Sequence, residues 1–95
     1  MTNALHVVMG LMIGQNDFTK TIGETVAMGG DNDCTGATAG SILGAVIGLD
    51  AIPSHWITPF GGRMQIYLKE LPEYLEIEEV CRRFEKLAEK RIYVN

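Results

Sequence analysis

In the stretch Gly29-Gly30-Asp31-Asn32-Asp33-Cys34-Thr35, permissive backbone, two carboxylates and the start of an apolar segment coincide. Glycine reaches backbone angles closed to other residues, and two acids one residue apart can share one cation. The run after Asp33 reads as a helix whose first turn these acids occupy. Carboxylate and water oxygens suit Mg²⁺, Mn²⁺ or Ca²⁺ better than zinc. A helix N-terminus carries partial positive charge, so two aspartates there offset the dipole as well as attracting the metal. Main-chain N–H groups beside the metal can receive phosphate oxygens, which makes the stretch a seat for a pyrophosphate-linked sugar. A plainer reading stands beside this one, a Gly-Gly turn followed by an Asp N-cap. Asp-x-Asp spacing alone does not separate the two.

The elements that must position these residues are mostly helices. Leu5, Val8, Met9 and Met12 recur at helical spacing and predict a helix over 3–13, stopped by Gly14, with His6 beside the stripe at the surface. That helix is apolar around most of its circumference, as in a larger bundle. Asn16 or Asp17 can cap a second helix, along which Phe18, Ile22 and Val26 repeat every four residues, flanked by Thr21 and Thr25. Gly23 costs it about 1 kcal/mol relative to Ala. Glu24 reads as solvated, with a supporting role behind the metal as the alternative. The third helix, predicted over 33–49, carries Gly36, Gly40, Gly44 and Gly48 at every fourth position. Four interior glycines cost about 3 to 4 kcal/mol in helix propensity, so this helix needs a neighbouring backbone to come close along its smooth side, with Ile42, Val46 and Leu49 packing elsewhere.

Pro53 ends that helix and biases Ile52 to an extended conformation. Residues 54–57 read as a short turn in which Trp56 anchors packing and His55 is its exposed neighbour. Alternation at Met64, Ile66 and Leu68 predicts a strand over 63–68, and 92–94 could pair with it. A last amphipathic helix places Ile77, Val80, Cys81, Phe84, Leu87 and Ala88 on one face, with Glu78 and Glu79 four residues before Arg82 and Arg83. The predicted fold class is all-α, about four helices with a minor extended element, in a single domain over 1–95.

At 95 residues and 46% apolar, the chain has more hydrophobic side chains than a small monomer needs, so some of that surface is expected to meet a partner. Net charge is -4, and most basic residues fall in the last third beside acids, which argues against nucleic acid. Cys34 and Cys81 show neither metal-type spacing nor a disulfide framework, and read as reduced thiols of a cytoplasmic protein. No signal-like segment or membrane span is read: 34–49 is short and holds Thr, Ser and four glycines.

Residues 29–56, from Gly-Gly-Asp-Asn-Asp-Cys-Thr through Gly-Ala-Val-Ile-Gly to Ile-Pro-Ser-His-Trp, resemble the C-terminal metal motif of the ADP-ribosylglycohydrolase family. That motif reads Gly-Gly/Trp-Asp-Thr-Asp-Thr/Cys, then a Gly/Ala-rich helix, then Ile-Pro and an aromatic. The resemblance implies a helical bundle and hydrolysis of the bond between ADP-ribose and its acceptor, with a pair of Mg²⁺ ions, or Mn²⁺, orienting the ribose and activating water. Carried over, the metal ligands are Asp31, Asp33 and the following position, here Cys34, whose thiol is a poor partner for Mg²⁺. Thr35 could substitute an oxygen but sits at another helical angle. Gly29 and Gly30 correspond to the turn that runs past the nucleotide.

The family's other ligands come from N-terminal Gly-Asp-x-x-Gly and Asp-Asp-Thr-like segments, and none of the 95 residues matches either. The chain therefore reads as the C-terminal portion of such a domain, as though Met1 were an internal start, with weak metal binding and little turnover alone. A non-catalytic helical module forming a homo-oligomer is the alternative. Expected partners are an ADP-ribose-containing substrate, and a second copy or the missing N-terminal part; neither nucleic acid nor a membrane is expected.

Overall fold

The computed structural model describes residues 2–92. The chain divides into two compact units, Met1–Trp56 and Ile57–Asn95. The first holds helices α1 (Thr2–Gly14), α2 (Phe18–Ala27) and α3 (Asn32–Ile47), each packed on the other two. The second holds strands β1 (Arg63–Gln65) and β2 (Tyr74–Glu76) followed by α4 (Ile77–Ile92). The fold is mostly helical with a minor extended element, as the sequence predicts.

Small residues bring α1 and α2 together. A Cβ added at Gly14 would lie 2.8 Å from Thr21 Cα, and one at Gly10 would lie 3.0 Å from Thr25 Cβ. Two glycines four apart thus face two threonines four apart, at a spacing that puts each pair on one helix face. Thr21 and Thr25 are fully buried, and Thr25 Oγ1 donates to the Thr21 carbonyl at 2.7 Å, which satisfies one hydroxyl inside the contact. Gly14 is therefore more than a stop signal: it is a buried contact residue of α1. The turn to α2 runs through Gln15 and Asn16 with positive φ. Asp17 then caps α2, accepting from the Lys20 amide at 2.9 Å.

This contact turns α1 away from the orientation its apolar stripe predicts. Val7, Gly10 and Gly14 are the buried residues of α1, whereas Leu5 is 58% and Met12 70% exposed, with Val8 and Met9 also exposed. On a helix apolar nearly all round, the small residues decide which side faces inward, because only they permit the close approach.

The glycine stripe of α3 works differently from the expectation. It is a groove filled by side chains of α2 and, at Gly44, by Ile52, not a track for a neighbouring backbone. A Cβ at Gly36 would meet Val26 Cγ2 at 3.0 Å, one at Gly40 would meet Ile22 Cδ1 at 3.4 Å, and one at Gly44 would touch Ile52 Cδ1 at 3.7 Å and Phe18 Cε2 at 4.0 Å. The i, i+4 ridge of α2 sits in the matching groove of α3. Gly48 lies off the stripe: it ends α3 with φ 81°. After a 3₁₀ turn over Leu49–Ala51, Ile52 is extended ahead of Pro53. Trp56 closes the unit, its ring edge-on to Phe18 with centroids 5.7 Å apart and its Nε1 donating to Thr19 Oγ1 at 2.8 Å.

In the second unit β1 pairs antiparallel with β2, Arg63 opposite Glu76 and Gln65 opposite Tyr74. Of the segment 92–94 predicted to pair with it, Ile92 ends α4 and 93–94 lie outside the described residues. Only 66–73 separate the two strands, and closing a short loop costs less entropy than closing a long one. The predicted strand over 63–68 shortens to Arg63–Gln65. In α4, Glu79 pairs with Arg82 at 2.8 Å and Arg83 at 3.3 Å. Phe84 and Leu87 of its apolar face are exposed.

Candidate metal centre

The loop between α2 and α3 is built on Gly29 (φ 77°) and Gly30 (φ 67°), both in the left-handed region that side chains disfavour. It delivers Asp31 to the N-cap position of α3, where the Asp31 carbonyl accepts the Thr35 amide at 3.0 Å. The carboxylate itself makes no capping bond. It instead accepts from Asn3 Nδ2 of α1 at 2.9 Å. The plainer reading, a side-chain N-cap, thus describes the backbone at Asp31 but not its carboxylate.

Asp31, Asp33 and Cys34 each offer one ligand atom, and these atoms lie within 4.8 Å of one another, all on exposed residues. Three groups hold Asp31 below its usual 3.8: first the Asn3 amide, then the Cys34 thiol, then Asp33. The Cys34 thiol is pushed above 9.0 by its hydrogen bond to Asp31 and by the negative charge of both aspartates. Cys34 is therefore a neutral thiol at ordinary pH, donating to a carboxylate. The two carboxylates fit a hard divalent cation; the protonated thiol does not.

Thr35 is 1% exposed, and its hydroxyl has no hydrogen-bond partner among the described residues, so it stands apart from the exposed cluster. It lines a 320 Å³ groove between α1 and α3 with Asn3, Val7, Val8, Cys34 and Ile42. Glu24 is exposed and outside the cluster. His6, expected at the surface, is half-buried against the loop: its Cε1 would lie 3.7 Å from a Cβ at Gly30, and its Nδ1 is buried without a partner among the described residues. His55 sits by α2, its Nε2 3.5 Å from Thr19 Oγ1. Asn3 and His6 are the neighbours that sequence reasoning missed.

The family profile described as ADP-ribosylglycohydrolase matches residues 1–92, nearly the whole chain. The chain belongs to the ADP-ribosylglycohydrolase family. A curated member, the ADP-ribosyl-[dinitrogen reductase] glycohydrolase of Rhodospirillum rubrum, is 36% identical over 58 residues, which cover 61% of this chain and 20% of that protein. The match thus spans about a fifth of the relative's length. No solved structure matches the chain. Among the described residues, no helix is long and apolar enough to cross a membrane. In this member of the family, the loop and first turn of α3 gather two acids, a thiol and an amide at one exposed spot.

Proposed function

We propose that the chain forms the C-terminal part of an ADP-ribosylglycohydrolase site, in which Asp31 and Asp33 hold a divalent cation, Mg²⁺ or Mn²⁺, and the substrate carries ADP-ribose. The observation that supports this reading is an N-cap aspartate whose carboxylate is withheld from the main chain and kept within reach of a second acid. A bound cation would supply charge to orient ribose hydroxyls and lower the pKa of a coordinated water. The chain's own residues do the rest. Asp31 and Asp33 balance the cation's charge, and Gly29 and Gly30 let the main chain pass close to a nucleotide. The free N–H groups at the start of α3 suit its phosphates. Cys34, as a thiol, hydrogen-bonds Asp31 in place of the oxygen ligand that the family often has there.

Two carboxylates leave most of the coordination sphere to water, so weak binding and little turnover are expected of these 95 residues alone. Calorimetric titration with Mn²⁺ and Mg²⁺ tests the reading. Saturable binding is expected, and Asp31→Ala with Asp33→Ala should weaken it at least tenfold, by about 1.4 kcal/mol or more. An unchanged affinity would count against it.

A second reading is favoured by the exposed apolar stripe of α1, Leu5, Val8, Met9 and Met12. It makes this face an association surface, for a second copy or for the remainder of the family domain. Sedimentation at tens of micromolar is expected to show self-association; a strict monomer would oppose the homo-oligomer.

A further inference from the structure

Asn3 and Asp31 stand 28 residues apart, on the first turn of α1 and at the start of α3, and meet at 2.9 Å. Only the NH₂ end of a primary amide can face a carboxylate, because its carbonyl oxygen would repel the charge. An exposed aspartate otherwise samples several rotamers, and a fixed donor on one oxygen narrows that choice. The donor is also neutral. A lysine or arginine at the same place would hold the carboxylate equally well, but its positive charge would compete with a cation. Asparagine orients Asp31 while leaving the negative charge of both acids available. The helix that carries it is seated on α2 through Gly10 and Gly14.

We infer that Asn3 is a positioning residue of the cation site, its side-chain amide holding the Asp31 carboxylate within reach of Asp33. The inference rests on the reading of Asp31 and Asp33 as cation ligands and adds to it a residue from another helix. Groups that orient metal ligands typically contribute tenfold or more in affinity.

The test is Mn²⁺ binding to the 95-residue chain, followed by electron paramagnetic resonance. Asn3→Ala is expected to weaken binding about tenfold, and Asn3→Gln, which keeps the donor, to recover much of the loss. In the Asp31→Asn background Asn3→Ala should cost nothing further, whereas in the Asp33→Asn background its cost should persist; a merely structural role would give the same cost in both. Equal affinity for the wild type and Asn3→Ala, with the Asp31 variant impaired, overturns the role of Asn3 alone. Absence of saturable Mn²⁺ binding in the wild type overturns the cation reading and this inference with it. A metal-free check uses the Asn3 side-chain amide NMR signal, which should move on Asp31→Asn. An unmoved signal denies the contact, whether or not the Asn3 variants fold.

Discussion

Asp31 and Cys34 form a pair whose protonation states support each other. The carboxylate is held below 3.8 and the thiol above 9.0, each by the other among its causes. The sign follows from linkage. A depressed carboxylate gives stability that is present above its unfolded value and lost as pH falls through the native one. A raised thiol gives stability that is present below 9.0 and lost as pH rises through its higher native value. Urea denaturation across pH, read by the single tryptophan, Trp56, is therefore expected to show an alkaline decline above 9.0 that Cys34→Ser reduces, and an acid decline below 3.8 that Asp31→Asn reduces. Profiles that these variants leave unchanged would contradict the pairing. Residue types and spacing make Asp31, Asp33 and Cys34 legible in the sequence, because the three are near neighbours at a helix start. Asn3 and His6 are not legible, because they arrive from a helix nearly thirty residues earlier and only packing brings them there.

At the scale of elements, glycines do two separate jobs, and single alanines distinguish them. At Gly14 a methyl would overlap Thr21, with backbone only 2.8 Å away, so the helices must part. Gly14→Ala is expected to destabilise the chain by about 1 to 3 kcal/mol, as overpacking does. At Gly44 the nearest atom is the flexible tip of Ile52 at 3.7 Å, an ordinary contact. Gly44→Ala should therefore recover helix propensity and stabilise by up to about 1 kcal/mol. Thermal denaturation of the two variants checks the contrast, and equal shifts would refute it. The helices themselves are readable from periodicity and caps, α4 and α2 most plainly. The inward face of α1 is not, since Leu5, Val8, Met9 and Met12 form the more hydrophobic stripe but Gly10 and Gly14 form the closer fit. The pairing of β1 with 74–76 is not legible either, because a three-residue strand carries too little pattern to show it.

For the whole molecule, family membership and surface chemistry point the same way. The matched relative is a much longer protein, and the first unit has a small core, with Val7, Ala39 and Leu43 its buried apolar side chains among the described residues. Exposed apolar side chains on α1 are what a helix meant for further packing would show. Val8→Lys with Met12→Lys is expected to abolish self-association, as measured by sedimentation, while leaving helicity intact. A persistent oligomer would locate the contact elsewhere. Neither residue belongs to the acidic cluster.

The central claim, that Asp31 and Asp33 gather one divalent cation at the start of α3, is tested most directly by paramagnetic broadening. Mn²⁺ added to isotope-labelled protein should first erase the amide signals of residues 29–35 and the Asn3 side chain, and should leave the Trp56 indole signal in place. Broadening centred on Glu78 and Glu79 of α4, or spread evenly over the acidic side chains, would contradict it.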